Sequence, residues 1–343
     1  MEQKNYIPGF DWVRLFGCMI VVMAHCHLFV FLQRSVPVWL YALFCEIVPI
    51  FFIMSGYLMY RSLTTKARPV SYMMKYLWKY GSTFLVLNVI GLLGDYIQIY
   101  ARTGEWMMRS LLIHILILPF YDAPMYQLWF IPSLLAGIVV NTFFVLKKKE
   151  RFGWTLILLY ATVVMFWNLY GQYMSIAPLY EVLTSWEHFY LIDYFLRTST
   201  QGVLYVAIGM WIAKHDEQIC QLWLRRLWLP ALLVTAADTA VVALWGDPRG
   251  MTFTLSVCLW STVLFIWIRR LKSDYLQPHH KVITIYSGTM YFLHVLQKEI
   301  FMQWTSNGML IFLGILLTNV LLTWGFARHT KKKKLKLKIK NGL

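Results

Sequence analysis

Residues 8–32 read PGFDWVRLFGCMIVVMAHCHLFVFL, an apolar run interrupted by Asp11, Arg14, His25 and His27. About 20 apolar residues suffice for an α-helix to cross ~30 Å of hydrocarbon, so this run is long enough to span. One lysine, Lys4, precedes it and no small-residue cleavage pattern follows, so it is expected to remain as a first span. Stretches of the same kind recur at about 37–60, 78–99, 128–146, 153–171, 199–213, 227–245, 251–268, 282–300 and 308–327. Helices satisfy the backbone of such runs in lipid, whereas a barrel would show alternating segments of about ten residues. The expected fold is therefore all-α, a polytopic integral membrane protein of about ten transmembrane helices.

Composition agrees with that reading. Of 343 residues, 59% are hydrophobic and 14% charged, against roughly 45–50% and about 25% in soluble domains. The net charge of +16 would suggest a nucleic-acid partner in a soluble chain. In a membrane protein it must first be sorted by side. An even number of spans puts both termini together, and the lysines at 331–334, 336, 338 and 340 place them in the cytoplasm. That topology leaves 24 Lys and Arg on the cytoplasmic side and six on the other: Arg34, Arg102, Arg109, Arg197, Arg249 and Lys298. The charge is thus a topology signal, with a secondary attraction of the tail for anionic lipid, and no nucleic-acid partner is expected. Residues 1–330 are expected to form the membrane domain and 331–343 a basic cytoplasmic tail. The long external segments 100–127 and 172–198 are rich in aromatic and acidic residues, as interfacial or substrate-facing loops are.

Five cysteines, Cys18, Cys26, Cys45, Cys220 and Cys258, have no CxxC or ligand-like spacing, so neither a disulfide framework nor a metal site is expected. No phosphate-cradling glycine loop, HExxH helix or GxSxG elbow is present, which removes the common soluble hydrolase and nucleotide-binding readings.

Ionisable residues inside spans cost several kcal/mol and face a cavity or a partner, so they point to function. On a regular helix, Arg14 and His25 are about 20° from sharing one face, roughly 16 Å apart in depth. A long ligand lying along that face would meet a phosphate-binding arginine at the cytoplasmic end and a proton-transferring histidine deeper in. Acyl-coenzyme A has that shape. The bland alternatives are a snorkelling arginine and a histidine bonded between helices. His25, Glu46, Asp238 and His294 also lie at similar distances from the outer ends of their spans, roughly 9–14 Å by residue count. They are candidates for one polar layer in which a carboxylate orients a histidine, the alternative being separate pairs made for packing. Ser55-Gly56 is either a nucleophile at a kink or, more simply, a small pair that admits a close helix contact. Tyr126, Trp129 and Tyr291 read as belt or packing aromatics. The loop histidines, His280 among them, receive no role.

Four segments carry a family likeness. FDWVRLFGCMIVVMAHC, with Arg14, ten residues and then His25, resembles the opening of the membrane acyltransferase family 3. VPIFFIMSGYLMY (48–60) resembles its second-span FF-x-x-SGY segment, QLWFIPSLL (127–135) is similar to its Leu-Trp-Phe run, and YSGTMYFLH (286–294) resembles its late Tyr-x-x-His span. One departure is the loop after the second span. It is arginine-rich in the family but here carries Arg61, Lys66, Arg68, Lys75 and Lys79, with fewer planar forks for phosphate.

The resemblance implies a multi-pass enzyme of the bacterial cell membrane. It would move an acyl group, usually acetyl, from cytoplasmic acyl-CoA to a hydroxyl of an envelope glycan, glycolipid or lipid-linked saccharide. It further implies His25 as the catalytic base and Arg14 as the acyl-CoA-binding residue, with acyl-CoA a co-substrate and no tightly bound cofactor. Since no esterase-like segment follows the last span, the chemistry is expected within the membrane domain. The rival reading is an exporter or flippase of polysaccharide or lipid-linked saccharide without acyl-transfer chemistry; it would favour internal inverted repeats, and none is evident.

Overall fold

The computed structural model describes residues 6–26, 28, 47–105, 126–170, 187–245 and 254–340. The chain opens with α1 (Pro8–Trp12), one π-helical turn (Val13–Gly17) and α2 (Cys18–His25). There follow α3 (Ile47–Thr65), α4 (Pro69–Thr103), a 3₁₀ turn (Tyr126–Trp129), α5 (Phe130–Leu146), α6 (Glu150–Tyr170) and α7 (Glu187–Lys214). The remaining elements are α8 (Asp216–Trp245), α9 (Leu255–Arg269), a 3₁₀ turn (Asp274–His279), α10 (His280–Met302) and α11 (Gly308–Lys340). The described part is all-helical, and helix is present in each of the ten apolar stretches. Among the described residues, three helices are long and apolar enough to cross a membrane: Ile47–Thr65, Pro69–Thr103 and, within α11, Gly308–His329. Phe130–Leu146 and Leu255–Arg269 are shorter apolar helices.

Several helices run beyond the apolar stretch that announces them. α4 begins at Pro69 inside the expected basic loop, α8 takes up most of the expected loop 214–226, and α11 continues through the lysine-rich tail to Lys340. Hydropathy detects only the apolar part of a helix, whereas Lys, Arg and Gln are themselves good helix formers and carry it onward. Proline and glycine set some of the ends. Pro8 and Pro69 occupy first-turn positions, where the missing N–H costs nothing. Gly104 closes α4 in the left-handed region (φ 75°), its N–H donating to the Tyr100 carbonyl at 2.8 Å.

The chain forms two compact units, residues 1–37 with 267–343 and residues 38–266. In the first, α2, α10 and α11 share a core of Cys18, Val22, Cys26, Tyr286, Met290, Ile311 and Ile315. Asn307 caps α11 by accepting the N–H groups of Met309 and Leu310 at 3.0 and 3.3 Å. Asn319 of α11 donates to Gln297 of α10 at 2.7 Å. Gly308 lies so close to the Cys26 carbonyl that a Cβ would overlap it, which seats the start of α11 on the end of α2.

In the second unit, α7 packs on α3 and α5. Small residues make the contact: a Cβ at Gly56 would meet the Val206 carbonyl, one at Gly209 the Ile53 carbonyl, and one at Gly202 the Ser133 carbonyl. Apolar side chains gain little by leaving lipid for protein, so close backbone approach and interhelical hydrogen bonds become the means of association. Asn141 of α5 supplies one such bond, to the Val203 carbonyl at 3.0 Å. The opposite faces of α4, α6, α8 and α11 expose Trp78, Leu158, Val163, Leu233 and Leu317, as lipid-facing surfaces do.

Candidate active site

The first unit contains two polar clusters, each built on the opening helix. At its start, Asp11 has no exposed surface. Arg14 Nη1 donates to Asp11 Oδ1 at 2.8 Å, and His280 Nδ1, at the first residue of α10, is 2.9 Å from each carboxylate oxygen. A buried carboxylate needs such partners, since an uncompensated charge there is strongly destabilising. The Tyr6 ring meets His280 edge-on at 5.5 Å. Burial, then the Asp11 charge, push the Tyr6 hydroxyl up to about 12, so it is an uncharged phenol at neutral pH.

Arg14 lies within the π turn. A π turn takes roughly one residue more than an α turn and so sets the following helix back by about 100°. Part of that turn lies between Arg14 and His25, so their relative phase departs from that of a regular helix. What the π turn delivers is an arginine braced by Asp11, with Nε and Nη2 not engaged by protein groups among the described residues. His280, set aside as a loop residue, belongs to this cluster. The signal that could have found it is Asp11 itself: its i+3 neighbour Arg14 occupies one oxygen, so a second donor had to arrive from a distant segment.

The second cluster lies at the far end of α2. The ring of His25 stacks on that of His294 from α10, with centroids 5.1 Å apart and planes inclined by 27°. His294 has no exposed surface. Its Nδ1 is 2.9 Å from both the Met290 and the Tyr291 carbonyl oxygens. Carbonyls only accept, so Nδ1 carries the hydrogen and the lone pair of the neutral ring is on Nε2. That Nε2 is buried and has no hydrogen-bond partner among the described residues. Leaving a buried acceptor unpaired costs about 1–3 kcal/mol. Lys298, one turn further along α10, is 7% exposed and lies 3.6 Å from Glu299. It falls within the apolar stretch 282–300.

Of the four residues expected at a common depth, His25 and His294 are thus brought into contact, and Glu46 lies outside the described residues. Asp238 belongs to the second unit, where its Oδ2 accepts the Ser256 N–H at 3.1 Å in the first turn of α9. That is a helix-capping arrangement, aided by Thr254, whose Oγ1 accepts the Val257 N–H at 3.3 Å. Ser55 donates to the Phe51 carbonyl at 2.8 Å while Gly56 abuts Val206, so this pair has the geometry of a close helix contact. The neighbouring Tyr57 is fully buried and donates to Asp216 at 2.8 Å, tying α3 to the start of α8.

An acyltransferase domain model, acyltransferase family 3, matches residues 7–328. The chain is also 24% identical over 222 residues to an amino-acid racemase of Enterococcus faecalis, covering 64% of this chain and 30% of that protein. No solved structure matches. The family match takes in Asp11, Arg14, His25, His280 and His294 and every helix from α1 to the apolar part of α11: the chain belongs to the membrane acyltransferase family 3.

Proposed function

We propose that the protein is a ten-span enzyme of the bacterial cell membrane, with both termini in the cytoplasm. It transfers an acyl group, acetyl in the simplest case, from cytoplasmic acyl-CoA to a hydroxyl of an envelope glycan, glycolipid or lipid-linked saccharide. The observation that carries this reading is the placement of the two motif residues: Arg14 braced by a buried carboxylate, and His25 stacked on a second imidazole. The Arg14 donors that no described residue engages form a planar fork suited to a phosphate of coenzyme A. His25 takes the proton of the acceptor hydroxyl as its oxygen attacks the thioester carbon. The C–O bond forms, the C–S bond breaks, and the departing thiolate receives the proton from the imidazolium.

The test uses full-length protein in lipid nanodiscs with labelled acetyl-CoA and an envelope glycan fraction. Label in the glycan with stoichiometric release of free CoA supports the proposal. Saccharide movement across vesicles without CoA release would favour the exporter reading instead.

A further inference from the structure

The lone pair on His294 Nε2 is the one feature of the histidine cluster that acyl transfer by His25 leaves unused. It is buried, its tautomer is set by two backbone carbonyls, and it faces no donor among the described residues. A group that completes it must bring an O–H or N–H. The neighbouring ring belongs to the residue assigned to the reacting hydroxyl, and the two imidazoles lie close to parallel with centroids 5.1 Å apart. Acceptors on two such rings can converge, each over a hydrogen bond of about 2.8 Å, on two neighbouring hydroxyls of one ligand, as on adjacent carbons of a sugar ring.

We infer that His294 is a second substrate-contacting residue and that it selects a vicinal diol. One hydroxyl of the pair is acylated at His25, while the hydroxyl on the adjacent carbon donates its hydrogen bond to His294 Nε2. No bond to the second hydroxyl changes in the reaction. A simple alcohol, or a sugar whose adjacent position is blocked, leaves the buried nitrogen unpaired and is discriminated against for that reason. The inference rests on the acyl-transfer reading above and names its substrate class.

The experiment uses full-length protein in nanodiscs, labelled acetyl-CoA, and the envelope glycan fraction of cells lacking the protein. Half of the glycan is first oxidised with periodate and reduced with borohydride, which destroys vicinal diols and spares isolated hydroxyls. The expected result is label in the untreated glycan and background in the oxidised half. H294F, which keeps a ring for the stack, should lower kcat/KM for the glycan roughly ten- to hundredfold, the loss of one substrate hydrogen bond. Its affinity for acetyl-CoA should be unchanged. H294Q, which returns an acceptor oxygen near the Nε2 position, should recover part of the loss. Equal labelling of the oxidised glycan, or an H294Q variant no better than H294F when both bind acetyl-CoA normally, overturns the inference and leaves acyl transfer standing. If H294F does not fold, the periodate arm decides. No label in the untreated glycan overturns the acyl-transfer reading itself, and the inference with it.

Discussion

Asp11 has no exposed surface, yet two basic side chains converge on it, and neither Arg14 nor His280 is fully buried. The carboxylate is therefore the member that cannot be satisfied by water. Asp11→Asn keeps the shape but loses charge-assisted hydrogen bonds worth about 1.5–3 kcal/mol each. It should lower the thermal midpoint of the purified protein and raise the KM for acetyl-CoA. Arg14→Ala should act mainly on the donor, weakening acetyl-CoA binding measured calorimetrically about tenfold or more, and unchanged affinity would remove Arg14 from the donor site. At His25 the expectation concerns rate. His25→Ala, in protein shown to be folded and inserted, should lose about 10²–10⁴-fold in acyl transfer, the usual worth of a general base. Full activity would dismiss it as the proton acceptor. The residues Arg14 and His25 were legible because charge in an apolar run is conspicuous. His280 was not, because a histidine beside a loop carries no local sign of the carboxylate it will meet.

At the scale of the element, the opening helix and α7 show two ways in which local pattern falls short. Hydropathy reads the opening run as one continuous helix, and the π turn at Val13–Gly17 leaves no trace in it. Phase along a helix is set by hydrogen-bond pattern, so a single wider turn redirects every later side chain. In α7 the glycines are conspicuous in sequence, but their partners are not. Gly209→Ala would press a Cβ onto the Ile53 carbonyl and within 2.8 Å of the Tyr57 nitrogen. Overpacking of this kind costs typically 1–3 kcal/mol, and against rigid backbone it should fall at the upper end. Gly94 of α4 has nothing within 4 Å of where a Cβ would lie. There Gly94→Ala should raise stability by about 0.5–1 kcal/mol through helix propensity alone. Melting temperatures of the two variants, compared by size-exclusion recovery after heating, should move in opposite directions.

For the whole molecule, the asymmetry of Lys and Arg predicts a cytoplasmic C-terminus. A fluorescent protein fused after Leu343 should light up, and an alkaline phosphatase fused there should be inactive; the reverse pattern would refute the topology. The sequence by itself determined that the chain is helical, apolar enough for a membrane and rich in basic residues. Each of those properties is local: a helix closes its own hydrogen bonds, and a run of side chains reports its own solvent. Tertiary structure alone decided which polar groups meet. Asp11 finds His280 and His25 finds His294 across more than 250 residues because α10 packs against the opening helix, and Asp238 is drawn into capping α9. Such pairings depend on helix phase and on which faces pack together, and neither is encoded within the segment that carries the residue.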